Sequence, residues 1–131
     1  MFKTYYLNAV LFSNLLFIMF LDQTFALCAE QRGMIRCKNG LKIKIVSANY
    51  GRTDDQVCPG GKTDTLTCQS KSSEIKVKWN CNGYTICHLH ATSKHFGDPC
   101  ANVSKYLEIT YRCVKNINNE INGNFIFMVP T

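Results

Sequence analysis

Long apolar runs are missing from the body of this sequence. The one sustained run, from Ala9 to Leu21, is about 13 residues long, whereas a membrane span needs roughly 20. We therefore expect no membrane insertion. Cys-x-x-Cys pairs are missing as well, and His88, His90 and His95 do not fall at finger spacing, so no metal site is expected. Acidic residues are scarce, with 9 Asp and Glu against 15 Lys and Arg, a formal net charge of +6. That charge is spread along the chain, which suits a solvated surface better than a nucleic-acid partner. No long helical pattern and no internal repeat occur.

What the chain does hold is cysteine. Eight cysteines in 131 residues are a density that reducing compartments rarely sustain. A domain this small also buries too little apolar surface to be comfortable without staples.

The N-terminus agrees with an oxidising destination. Lys3 supplies a positive start, the apolar run follows, and Thr24-Phe25-Ala26 places small residues where a signal peptidase cuts. We expect residues 1–26 to be a signal peptide, residues 27–114 a secreted, extracellular domain, and residues 115–131 a flexible C-terminal tail. The tail's Phe125 to Val129 patch is too short to anchor in a bilayer. Cys28, Cys37, Cys58, Cys68, Cys81, Cys87, Cys100 and Cys113 can then close four bridges, among more pairings than counting can separate. With every thiol paired, a cysteine nucleophile is excluded.

Strand patterns follow. Leu41 to Val46 alternates apolar and cationic residues. From Lys105 to Val114, Leu107, Ile109, Tyr111 and Cys113 share one face, and Glu108, Thr110 and Arg112 the other. Thr85 to Ala91 suits a third strand, with Cys87 and Leu89 inward and His88 and His90 together outward. Ser72 to Asn82 stays open. It alternates like a strand, yet Ser72 or Ser73 can cap a helix in which Ile75 and Trp79 are four apart and Asn82-Gly83 ends it.

Three motifs lie on this framework: Ala48-Asn49-Tyr50-Gly51-Arg52, Phe96-Gly97-Asp98-Pro99-Cys100 and Lys105-Tyr106-Leu107. In that order, with the cysteines interleaved, they resemble the SUEL-type lectin domain, the family of rhamnose- and galactose-binding egg lectins, from Cys28 to Cys113. The resemblance implies an α+β fold: a small disulfide-rich domain, mainly antiparallel β-sheet, with a short helix before Cys81 and long structured loops. It also implies the bridges Cys28 to Cys58, Cys37 to Cys113, Cys68 to Cys100 and Cys81 to Cys87. Function would be metal-independent, cofactor-free recognition of terminal sugars by a non-enzymatic module.

The residue types suit a saccharide. Paired hydroxyls of a pyranose offer donors to a carboxylate and lone pairs to an ammonium, and charge-assisted hydrogen bonds are the stronger kind. Asp98 and Lys105 fit those roles, and Tyr50 can set its ring against the sugar's C–H face. Gly51 would permit a tight turn and Arg52 would brace the loop. Three positions depart from the family pattern. The family's Glu after the first cysteine is Ala29, with Glu30 one step on, which in extended chain faces the other way unless the backbone bulges. The family's Asn is Ser93, and its Gly-Thr is Asn102-Val103. These departures imply altered affinity.

The leading expectation is a lectin module for glycans on cell or microbial surfaces. Its rival is a protein-interaction module on the same scaffold with a decayed sugar site, and the third reading is a small ribonuclease using His88, His90 or His95, which lie in no catalytic frame. One domain offers one site, so agglutination would require a non-covalent oligomer. Asn102-Val103-Ser104 is the chain's one glycosylation sequon.

Overall fold

In the computed structural model, residues 21–115 are described; residues 1–20 and 116–131, which carry most of the expected leader and the expected tail, lie outside them. The chain runs β1 (Gln23–Cys28), β2 (Arg32–Arg36), β3 (Lys42–Gly51), α1 (Ser73–Cys81), β4 (Ile86–His90), α2 (Ser93–Phe96) and β5 (Tyr106–Val114). β1, β5 and β3 form one antiparallel sheet in that order, and β2 pairs with β4 in a second. The expected α+β architecture is what forms.

β5 lies at the centre because its alternation is the cleanest. Leu107, Ile109 and Tyr111 are buried, and Glu108, Thr110 and Arg112 are partly exposed. Burying the Leu and Ile side chains contributes about 1.5–3 kcal/mol each. β3 runs on well past Val46. Its pairing goes from Ile45↔Tyr111 to Ser47↔Thr110, leaving Val46 as an extra residue. Such a bulge reverses the parity of everything after it. Ile43 and Ile45 are therefore buried before it, and Ala48 and Tyr50 after it.

The segment before Cys81 is the helix α1. Ser73, Val77 and Cys81 face the core, whereas Ile75 and Trp79 are exposed. Ser72 stands at the N-cap without a side-chain bond. The neighbouring Ser73 Oγ instead accepts the Tyr50 amide at 3.0 Å, tying the helix start to β3. Asn82 and Gly83, at φ 86°, end the helix as expected.

All four bridges form in the pairing that the resemblance implies, and no cysteine is free. β1 begins at Gln23, inside the expected leader. Its Phe25 packs against the core, and its register with β5 runs from Gln23↔Tyr111 to Cys28↔Tyr106. No helix among the described residues is long and apolar enough to cross a membrane.

Candidate functional site

The structure joins the predicted residues in two pairs, Lys105 with Asp98 on the loop from Gly97 to Lys105 and Tyr50 of β3 with Ser93 of α2. This loop has no regular structure, so its carbonyls need partners from elsewhere. Lys105 supplies two, and a third bond to a carboxylate. Its ammonium donates to the carbonyls of Cys100 and Val103, each at 2.8 Å, and to Asp98 Oδ1 at 2.7 Å. An ammonium has three N–H donors, and all are used. The Lys105 side chain is 8% exposed, whereas that of Asp98 is 47% exposed.

Asp98 Oδ1 also accepts the Cys100 amide at 3.1 Å. The hydrogen bond from Lys105, aided by the Cys100 amide and the Lys105 charge, outweighs the opposing desolvation and holds the carboxyl below its ordinary range. No described residue hydrogen-bonds Oδ2. The arrangement thus presents an ionised, half-exposed carboxylate fixed through Oδ1.

A second buried cation holds the loop from behind. Arg52 is 0% exposed. Its guanidinium donates to the carbonyl of Ser104 and to those of Asp54, Val57 and Cys58 at 3.2, 3.1 and 3.0 Å. It also lies 5.3 Å from the centroid of the Tyr106 ring, where cation–π attraction adds to the clamp. The Cys68–Cys100 bridge and paired bonds between Arg52 and Cys68 (2.9 and 3.1 Å) close the structure. Gly51 is required for approach and not for a turn: a Cβ there would sit 2.1 Å from the Cys68 carbonyl oxygen.

Tyr50 corrects the expectation. Its ring is 1% exposed and stacks on Phe96 with centroids 5.2 Å apart, so it has no free face for a sugar. The Val46 bulge turned it inward. Only its hydroxyl reaches the site, 3.1 Å from Ser93 Oγ. Ser93 opens α2, where Thr92 caps the helix by accepting the Lys94 amide at 3.3 Å.

The step from Ala29 to Glu30 is a turn, not extended chain, so the opposite-face argument does not apply. Glu30 has φ 65°, and the Gln31 amide bonds back to the Cys28 carbonyl at 3.0 Å. The Glu30 amide donates to Ala91 at 2.7 Å, which sets this turn two residues from Ser93. Its carboxylate is 73% exposed and 4.0 Å from His90 Nε2. His90 thus neighbours the site, which nothing in its period-two setting signalled. Asn102 is exposed and left-handed at φ 61°, so it keeps a glycine-like backbone while adding a side chain.

Elsewhere, a polar cleft of about 300 Å³ lined by Ser47, Asn49, Gln69, Lys71, Glu74 and Glu108 contains none of these residues. Burial, with a contribution from Asp54, raises the Glu108 carboxyl above its ordinary range. Among the described residues no group of three or more His, Cys, Asp or Glu side chains is placed to hold a metal ion.

Comparison with known proteins identifies the family. The D-galactoside/L-rhamnose binding SUEL lectin domain matches residues 35–113. An L-rhamnose-binding lectin of Echinometra lucunter is 39% identical over 90 residues, 67% of this chain and 87% of that protein. A D-galactoside-specific lectin of Heliocidaris crassispina is 38% identical over 89 residues, 66% of this chain and 85% of that protein. The adhesion G protein-coupled receptor L1 of Mus musculus is 36% identical over 85 residues, 63% of this chain but 6% of the receptor. The chain belongs to the SUEL lectin family.

Proposed function

From that membership we propose that the protein is a secreted, metal-independent lectin module whose Asp98 loop takes a terminal rhamnose- or galactose-like sugar. The observation that carries this reading is the exposed, ionised Asp98 held by a buried Lys105. Two vicinal hydroxyls can donate to its carboxylate, and a charge-assisted pair of this kind is worth more than neutral bonds. Lys105 has no free proton, so it acts by aiming Asp98, not by holding the sugar. The Tyr50 and Ser93 hydroxyls and the Glu30 carboxylate supply further polar contacts, and Asn102 borders the pocket. A loop already ordered by a bridge and two buried cations spares the ligand that ordering cost.

A glycan array probed with the full chain, with and without chelator, tests the reading. Rhamnose- or galactose-terminated glycans should bind equally in both conditions. Silence across the array would favour the rival, a protein-interaction module. One observation favours that rival: Glu30 and Asn102 are non-glycine residues that keep left-handed backbone, at φ 65° and 61°.

A further inference from the structure

The cations are spread along the sequence, but the fold gathers six of the 15 Lys and Arg around one bridge. Cys37 and Cys113 have Cα atoms 5.5 Å apart. Arg36 and Lys38 flank the first, and Arg112 and Lys115 lie within two residues of the second. Lys42 pairs with Val114, and Lys44 with Arg112, across β3 and β5. At 3.8 Å per residue step and about 5 Å between strands, all six Cα atoms lie within about 10 Å of a bridge cysteine. The Asp98 loop is at the other end of β3, where Gly51 pairs with Tyr106, roughly 30 Å along the strand.

Little opposes this charge. Arg112 pairs with Asp22, a residue of the expected leader. Among the described residues no carboxylate pairs with Arg36, Lys38, Lys42 or Lys115. Arg36, Lys38 and Lys115 are exposed, and Lys42 is partly so. A cleft of about 540 Å³ lies between the β2–β3 turn and the start of β4, lined by Arg36, Lys38, Asn39, Gly40, Thr85 and Ile86, and no Asp or Glu lines it. Lys44 and Arg112 stand directly opposite one another, where like charges repel. Burial, with the charges of Arg112 and Lys78, holds the Lys44 ammonium below its ordinary value. A bound anion would relieve that repulsion. Its chemistry follows from what accompanies the charge. The six cations and the cleft include no aromatic ring for bases to stack on, and Ile86 is too small an apolar surface to anchor in lipid. Long cationic side chains, Arg36 with its planar fork, suit oxyanions carried along a saccharide chain.

We propose that Arg36, Lys38, Lys42 and Lys115, around the Cys37–Cys113 bridge, bind an anionic polysaccharide at a site separate from the Asp98 loop and independent of what that loop binds. Heparin is the probe. The full chain should bind it at 0.15 M salt, and Arg36→Glu with Lys38→Glu should weaken binding about tenfold or more. Lys42→Glu with Lys115→Glu, which leaves β2 untouched, should weaken it likewise. Lys62→Glu with Lys71→Glu changes the net charge equally beside Ser104 and Asn49, toward the far end of β3. That distance is several screening lengths, so binding should stay within about twofold of native. Equal losses in all three variants would overturn the proposal by reducing the attraction to net charge, and so would native-like binding by both of the first two. Duplex DNA or phosphatidylserine vesicles bound as tightly as heparin, with the same dependence on Arg36 and Lys38, would overturn the assignment to a polysaccharide. Asp98→Asn should keep heparin binding, and its loss there would overturn the separate site.

Discussion

The β3–β5 sheet and the loops around Cys68–Cys100 are held by opposite means. In the sheet, apolar side chains alternate inward and backbone groups pair with one another. In the loops, backbone carbonyls converge on two buried cations, Arg52 and Lys105. The sheet is held by removing apolar surface from water, and it tolerates changes that keep volume and pattern. The loops are held by satisfying largely part-buried acceptors that would otherwise lack a protein partner, each costing up to about 1–3 kcal/mol. Their tolerance is narrow because geometry, not size, is what matters.

Arg52→Met breaks the comparison hardest. Four carbonyls lose their donor, and we expect a loss of about 3–5 kcal/mol in urea unfolding. Limited proteolysis should cut residues 53–66 first. Arg52→Lys should not restore the wild-type value, because an ammonium lacks the planar fork. Ile109→Ala should cost about 2–5 kcal/mol yet leave the loops protected until global unfolding. If it opened the loops as readily as Arg52→Met, the two regions would not be held separately.

The bridges sharpen the contrast. Cys68–Cys100 spans 32 residues and Cys81–Cys87 spans 6. Replacing each pair by serine should cost about 3–4 and about 2 kcal/mol respectively on chain-entropy grounds. Sugar affinity should fall only for the first. Within the sheet, a chain starting at Leu27 lacks most of β1, including Phe25. Thermal unfolding should show it less stable by about 1–3 kcal/mol than one starting at Asp22.

The smallest expected effect is in pH. The Lys105 hydrogen bond keeps the Asp98 carboxyl below its ordinary 3.8. A depressed carboxylate pKa means that its favourable charge is present above the unfolded value and is lost as pH falls through the folded one. Binding should therefore persist as pH drops to the ordinary Asp range and fail below it. In Lys105→Met the failure should move to higher pH, as a titration of affinity between pH 3 and 6 would reveal.

The sheet was legible in the sequence because burial writes itself as period two, which made β5 plain and gave the inward faces of β3 and β4. α1 was legible only through the family resemblance, since its buried face is Ser73, Val77 and Cys81, too weakly apolar to register as a pattern. The Ile75–Trp79 spacing did mark a helix, but the pair lies on its outer side. β1 was hidden under a leader-like composition, and β2 buries only Ile35 outright. At the site, Asp98 and Lys105 were legible as residues and their mutual pairing was not. It depends on where the Cys100 and Val103 carbonyls fall, which no side-chain pattern encodes. The Tyr50 ring was read from its amphipathic chemistry alone, whereas β3 runs on past Val46 and the extra residue there turns the ring to the core.

Calorimetric titration of L-rhamnose and D-galactose into the full chain and into Asp98→Asn tests the central claim most directly. The substitution keeps the side chain's shape and removes its charge, while Arg52 and Cys68–Cys100 continue to hold the loop. The account predicts saturable binding of at least one sugar by the native protein and a loss of tenfold or more in the variant, with unfolding temperatures within a few degrees. Native-like binding by Asp98→Asn would contradict it.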